Sequence, residues 1–251
     1  MKKRLFALLI VVTIAFGSCA ELMKTLETVT TGIPLTESEV AEGLKEALIT
    51  GARNSASRLG ADNGYFGDEM IKIFLPEEAH VIIENISRLP AGEKMVQDVI
   101  LSINRAAEDA AREVAPIFVA SVRQMTIADA FGILKGEDDA ATKYLHRTTY
   151  NELFNLYSPK IQASVSKPLI GNISAQDSWD TLTETWNKIA NSIAGKIAGL
   201  KPVETNLAEY LTHRALDGMF IKVAEEEYKI RKEVSARVSP LLQKVFGSLD
   251  N

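Results

Sequence analysis

Between Thr36 and Gly60 the chain follows one pattern: a residue that can cap a helix, then an apolar side chain at almost every fourth position. Thr36-Glu-Ser-Glu39 has the spacing of a capping box. Val40, Leu44, Leu48, Ala52, Ala56 and Leu59 follow before Gly60 ends the run. Apolar positions at that step lie on one side of an α-helix, which must find a partner surface. The same pattern recurs to the C-terminus. Pro76 can open a helix through Leu89. A longer one runs from about Glu93 to Ala115, where Pro116 kinks or restarts it. Thr126 is placed to cap "IADAFGILK", which ends at Gly136, and Asp138 or Asp139 to start a helix through Tyr157. Ser174 stands three residues before Asp177 and heads the helix carrying Trp179 and Trp186. Asn206 begins a long pattern through about Glu233, and "SPLLQKVFG" closes the chain with a short helix.

The intervening pieces are short. "GADNGYFGD" (Gly60–Asp68) and "GLKPVETN" read as loops from their Gly, Asn and Pro content. "MIKIFLP" (Met70–Pro76) reads as extended, but no second strand offers itself as a partner, so it is expected to be irregular. The expectation is therefore all-α: a single irregular multi-helix bundle of about eight helices over residues 36–251, with about 215 residues to build one core.

The first residues have a different grammar. Met1-Lys2-Lys3-Arg4 is a positive cluster, and the twelve residues Leu5 to Phe16 carry no charge. That run is short for a bilayer span, which takes roughly 20 apolar residues. With Gly17 and Ser18 before Cys19, it reads as an export signal over residues 1–18 that resembles a bacterial lipobox, although Phe16 stands where an aliphatic residue is usual. Cys19 is the only cysteine of the chain. Its thiol is the side chain best suited to alkylation near neutral pH, and two or more acyl chains anchor stably where one does not. The competing readings are a signal-peptidase substrate with an incidental cysteine, or an uncleaved anchor. Residues 19–35, with several Thr, Gly32 and Pro34, then read as a lipidated N-terminus and a tether. Loss of residues 1–18 removes three cations and no acid, taking the net charge from −5 to −8. A mildly acidic module is no nucleic-acid binder and is not expected to dock electrostatically on anionic lipid. Ala20 follows Cys19, without the Asp that retains many lipoproteins at the inner membrane, so the expected location is the periplasmic face of the outer membrane.

Four stretches carry a resemblance to a known family: "SEVAEGLKEAL" (Ser38–Leu48), "NGYF" (Asn63–Phe66), "INRAAEDAA" (Ile103–Ala111) and "ALDGMFIKVAEEE" (Ala215–Glu227). Together they resemble the bacterial lipoprotein family known only as domain of unknown function 4197, along nearly all of the mature chain. The resemblance implies an exported helical domain, often behind a lipobox, and implies no activity.

Two constellations are candidates for binding or buried polar roles. In the last long helix Leu216, Phe220, Val223 and Ile230 form a stripe whose missing member is Glu227, a carboxylate in an apolar seam. Such a group must be paired, hydrogen-bonded or protonated, and such groups gather at functional sites. The plainer expectation is an edge position with Arg231 as partner one turn on, Glu225 pairing Lys229 at the surface, and "EEEYKIRKE" as a solvated helix end. In the "INRAAEDAAR" helix, Val96, Ile100, Ile103, Ala107, Ala110 and Val114 make the core stripe. Arg105, Glu108 and Arg112 lie opposite beside Leu101, with Asn104 at the boundary, placed to bond a neighbouring loop. A second packing layer is the expectation there, ahead of a recognition surface or cleft lining. Asp217 stands one turn beyond His213 and is expected to share a surface hydrogen bond with it.

Metal and nucleophile chemistry find little support. Glu77 and His80 have Glu-x-x-His spacing, but no second copy exists. One cysteine and three histidines make a zinc site unexpected, and no G-x-S-x-G, phosphate loop or C-x-x-C occurs. No cofactor is expected. The leading expectation is a non-enzymatic envelope lipoprotein, held to the membrane by its lipid, that binds an envelope protein or an apolar small molecule. The alternative is a periplasmic hydrolase using Glu227 and a second acid in a cleft between helices.

Overall fold

In a computed structural model, which describes residues 34–85, Leu89 and residues 91–250, ten α-helices follow one another: α1 (Glu37–Leu59), α2 (His80–Glu84), α3 (Gly92–Ala111), α4 (Val114–Gln124), α5 (Ala130–Leu134), α6 (Ala140–Val165), α7 (Ala175–Ala190), α8 (Ile193–Ile197), α9 (Leu207–Lys232) and α10 (Pro240–Gly247). Among the described residues no β-strand forms, and a single isolated bridge joins Ile170 to Ile173. The protein is all-α, an irregular bundle. Residues 37–251 form one compact unit. Cys19 and the segment read as leader and tether, up to residue 33, lie outside the described residues.

The centre of the bundle is α9. Leu211, Ala215, Leu216, Met219, Phe220, Val223 and Ile230 are all buried, because α1 packs along one side and α6 along another. α4, α5 and α10 pack on α1, while α3 joins α6 and α7. Close approach demands small residues at two points. A Cβ on Gly43 of α1 would lie 2.7 Å from Val245 of α10, and one on Gly218 of α9 would lie 2.7 Å from the Tyr65 ring.

Several helix boundaries differ from expectation, each for a local reason. Asp129 rather than Thr126 caps α5, its carboxylate accepting from Gly132 N at 2.8 Å. The helix expected through Leu89 is a 3-10 turn (Glu77–Ala79) plus α2, and ends at Glu84. Pro116 restarts the chain: α3 stops at Ala111 and α4 opens at Val114, with the proline in its first turn, where no N–H is needed. α6 runs eight residues beyond Tyr157, straight through Pro159. The proline faces solvent, and the last turns are held by Ser164 and the following Lys167 on Asp109 of α3 (2.7 and 2.6 Å) and by Lys160 on Glu113, just before α4 (2.5 Å). Those contacts offset the backbone hydrogen bond that the proline removes. Ser174 and Asp177 form the expected capping box of α7, and Asn206 caps α9. α8 had no counterpart in the sequence reading.

Candidate functional site

Glu227 is the first test, because its surroundings separate a working carboxylate from a structural one. It is 1% exposed. Helical period puts it on the face of α9 that meets the start of α6, and its carboxylate accepts the backbone N–H groups of Ala141 (3.0 Å) and Thr142 (2.7 Å) and the Thr142 hydroxyl (2.7 Å). Asp139, at the N-cap position of α6, makes no side-chain cap. A residue 85 positions away therefore caps that helix, where the dipole favours an anion. Arg231, one turn on, donates to Glu227 through Nε (2.8 Å), with Nη2 2.7 Å from the same oxygen. Its guanidinium also donates to the carbonyls of Leu134 (2.7 Å) and Ile133 (3.1 Å), the C-terminal end of α5. One ion pair thus satisfies orphan groups at two helix ends, anion at an N-terminus and cation at a C-terminus.

The pairing with Arg231 is as expected, but the expected edge position is not what forms: both side chains are almost fully buried. Nor is "EEEYKIRKE" a solvated end. Glu226 is buried too, receives Asn54 Nδ2 at 2.7 Å, and takes the Lys229 pairing that had been expected of Glu225. Glu225 pairs Lys222 instead, at 2.6 Å, and Lys222 also reaches Asp68 at 2.7 Å. Arg237, which carried no signal in the sequence, repeats the device. It is buried and donates to the carbonyls of Ile230 (3.0 Å) and Arg231 (2.9 Å) at the end of α9, while holding Asp250. The hydrogen bond to that carboxylate raises the guanidinium still further above its ordinary value.

The second constellation grips the loop after α1. Asn104 is fully buried, and its amide brackets Ile73, accepting from Ile73 N (2.9 Å) and donating to Ile73 O (2.7 Å). The extended segment thereby receives from one side chain what a neighbouring strand would give. Ile71, Ile73 and Leu75 turn inward, with Met70 and Phe74 outward. Glu108 is buried as well and accepts both Tyr65 N and Phe66 N (3.1 Å each), with Arg105 Nη1 at 2.5 Å. Arg105 also reaches Asn63 Oδ1 (3.0 Å), and Arg112 Nε donates to Gly60 O (2.9 Å). The face opposite the core stripe is thus covered by residues 60–76, a second packing layer. Asn63, at φ 64°, turns the loop so that Tyr65 drops inward, fully buried, its hydroxyl donating to Ala215 O at 2.7 Å above Gly218. Burial first, then the charges of Glu108 and Asp217, drive that hydroxyl far above the ordinary tyrosine range. The "NGYF" and "ALDGMF" stretches are the two halves of this one contact.

Asp217 does not bond His213. It faces Arg214 at 3.7 Å, while His213 Nδ1 shares a hydrogen bond with Tyr150 Oη (2.8 Å) inside a ring cluster with His146, Phe154 and Phe220.

Surface depressions among the described residues include one of 350 Å³ beside Tyr144 and Arg147, one of 290 Å³ beside Lys135 and Asp250, and one of 640 Å³ along α9. Glu227 is 1% exposed and saturated by Arg231 and the start of α6, so it does not offer the accessible carboxylate that an acid hydrolase built on it requires. Among the described residues no group of three His, Cys, Asp or Glu side chains is arranged to hold a metal, and no helix is long and apolar enough to cross a membrane.

Acid should loosen these ties first. The bond to Lys222 holds Asp68 below the usual carboxylate range. At Asp109 and Glu226 burial pushes upward but is outweighed, by Lys167 with Ser164 and by Lys229 with Asn54 respectively, so both are also lowered. A depressed folded-state value stabilises fully above the unfolded value, about pH 4, and loses that contribution as pH falls through the folded value. Urea midpoints should therefore decline below about pH 4, and less steeply in Asp109→Asn.

What the fold and these networks define is a helical module whose buried charges serve as helix caps and loop clamps. The chain belongs to the family described as Protein of unknown function (DUF4197), whose model matches residues 34–247. No curated protein matches, and no solved structure does.

Proposed function

We propose that the protein is an exported, lipid-anchored module of the bacterial cell envelope that binds a partner and performs no catalysis. The anchor rests on the leader pattern ending at Cys19. The observation that carries the binding role is the 640 Å³ groove along α9, where Ile221, Ala224 and Tyr228 form a row at i, i+3 and i+7 beside Met70. Most of α9 is buried by its neighbours, and on its solvent side these apolar side chains stay open: Tyr228 is 49% exposed and Ile221 37%, with Met70 beside them at 74%. A row of that spacing suits an amphipathic helix of an envelope protein laid into the groove.

Photo-crosslinking in living cells tests this reading. A photoreactive residue at Tyr228 should give a covalent protein adduct that is absent when the probe sits at exposed Glu152 and lost with Ile221→Glu. An adduct of small-molecule mass would redirect the groove to a ligand, and no adduct at all would end the binding reading. Separately, Cys19→Ser should abolish acyl mass and shift the protein to soluble fractions. Unchanged membrane fractionation without acyl mass would refute the anchor.

A further inference from the structure

The segment from Trp186 to Val203 forms a knob at one end of the bundle. After α7 ends at Ala190, Ser192 caps α8, its hydroxyl accepting Gly195 N at 3.0 Å. The chain then turns back at Gly199, with φ +71°. The base is pinned at two residues. Trp186 Nε1 donates to Lys201 O (2.8 Å), and the Asn187 amide brackets Val203 through its O (2.9 Å) and N (2.8 Å).

What this rigid base presents is unlike the rest of the surface. Ile193 and Ile197, one turn apart on α8, are 82% and 83% exposed, the highest values for large apolar side chains among the described residues. Ala194 and Ala198 are exposed beside them. Lys188, Lys196 and Lys201 are exposed and make no ion pair among the described residues, and no acid stands between Glu184 and Glu204. In a chain of net charge −5, this stretch carries three cations and no anion. Exposed isoleucines in a stretch whose three lysines are unpaired match the boundary of an anionic bilayer, where side-chain carbons enter the acyl region and ammonium groups stay with the headgroups. A specific protein interface needs about 800 Å² per partner, a far larger surface than two isoleucines and two alanines offer.

We infer that the α8 knob is a second membrane contact, specific for anionic lipid, that lays the domain along the bilayer. This rests on the reading of Cys19 as an anchor. Residues 198–206 lead from α8 into the start of α9, whose 26 residues run about 39 Å. Its far end binds α5 through Arg231, and α5 in turn meets the first turn of α1, where Glu37 accepts Ala130 N at 3.3 Å. The knob and the start of the domain thus lie at opposite ends of α9. Seventeen residues separate Cys19 from Glu37, a reach on the order of 60 Å when extended, enough for both ends to meet one bilayer.

Because acylation occupies the only native thiol, Ile197→Cys supplies a single site for an environment-sensitive fluorophore in the full-length acylated protein. On vesicles of phosphatidylcholine mixed with phosphatidylglycerol, emission at position 197 should shift blue and be quenched by brominated lipid, while the same label at Glu69→Cys should not respond. Replacing Lys188, Lys196 and Lys201 by Gln should lower the partitioning of the knob into anionic vesicles by about two orders of magnitude, and high salt should weaken it in the same direction. Identical emission at positions 197 and 69 on anionic vesicles overturns the contact. So does a shift that needs no vesicles and grows with protein concentration, which would assign the face to a second copy. Flotation and the mass of Cys19 report the anchor separately. If Cys19 carries no lipid, co-sedimentation of the unacylated protein decides the knob by itself: preference for anionic over zwitterionic vesicles upholds it, and equal binding refutes it.

Discussion

Glu227→Gln should destabilise the bundle by about 3–5 kcal/mol, the usual consequence of removing one member of a buried ion pair. Glutamine keeps the size of the side chain, and its amide oxygen can still accept the Ala141 or Thr142 N–H, so the change isolates the charge. What remains is Arg231, buried among the carbonyls of Ile133 and Leu134 without its counter-ion. For a domain of this size the melting temperature should fall by on the order of 10 °C, read by calorimetry or circular dichroism. Glu227→Gln combined with Arg231→Met should recover part of the loss, because the unpaired cation is gone. A single variant within about 1 kcal/mol of the parent, the range of an exposed pair, would mean the network does not hold the junction of α5, α6 and α9.

Glu108→Ala is expected to act more locally. It leaves the N–H groups of Tyr65 and Phe66 without an acceptor and Arg105 without its closest anion. Each buried donor left unsatisfied costs about 1–3 kcal/mol, so a global loss of about 3 kcal/mol is expected. Hydrogen exchange at the Tyr65 and Phe66 amides should accelerate by about two orders of magnitude as the loop opens. Glu113→Ala breaks a half-exposed pair with Lys160 of α6, and should cost less than about 1 kcal/mol. Comparable effects from the two variants would show that Glu108 does not clamp the loop. Loss of the loop should also disturb the groove, since Met70 lies on the same stretch of chain.

The two constellations legible in the sequence were found for different reasons. Glu227 stood out as a carboxylate at an apolar position of a helical stripe, and Asn104 as an amide at the edge of another. Both proved buried and fully bonded, so a breach in the periodicity was a true sign of a polar network. It could not say whether the network worked on a substrate or on the fold. Tyr65 and Gly218 gave no such sign. Each is an ordinary residue in its own segment, and only the approach of the loop to α9 makes one need the other. Arg237 was silent in the same way.

Sequence alone determined the long helices, because their signals act over three or four residues: the Ser174–Asp177 box, the Asn206 cap, the apolar stripes of α1 and α3. It also holds the positive cluster, the uncharged run and Cys19 on which the proposed anchor rests. Tertiary structure decided what lies far apart along the chain: that Glu227 caps a helix begun 87 residues earlier, that an asparagine side chain replaces a strand for Ile73, and that α6 continues through Pro159. Short-range hydrogen bonds and helical period are fixed by neighbouring residues. The partner of a buried charge, by contrast, is chosen by whichever orphaned helix end the packed core brings within about 3 Å of it.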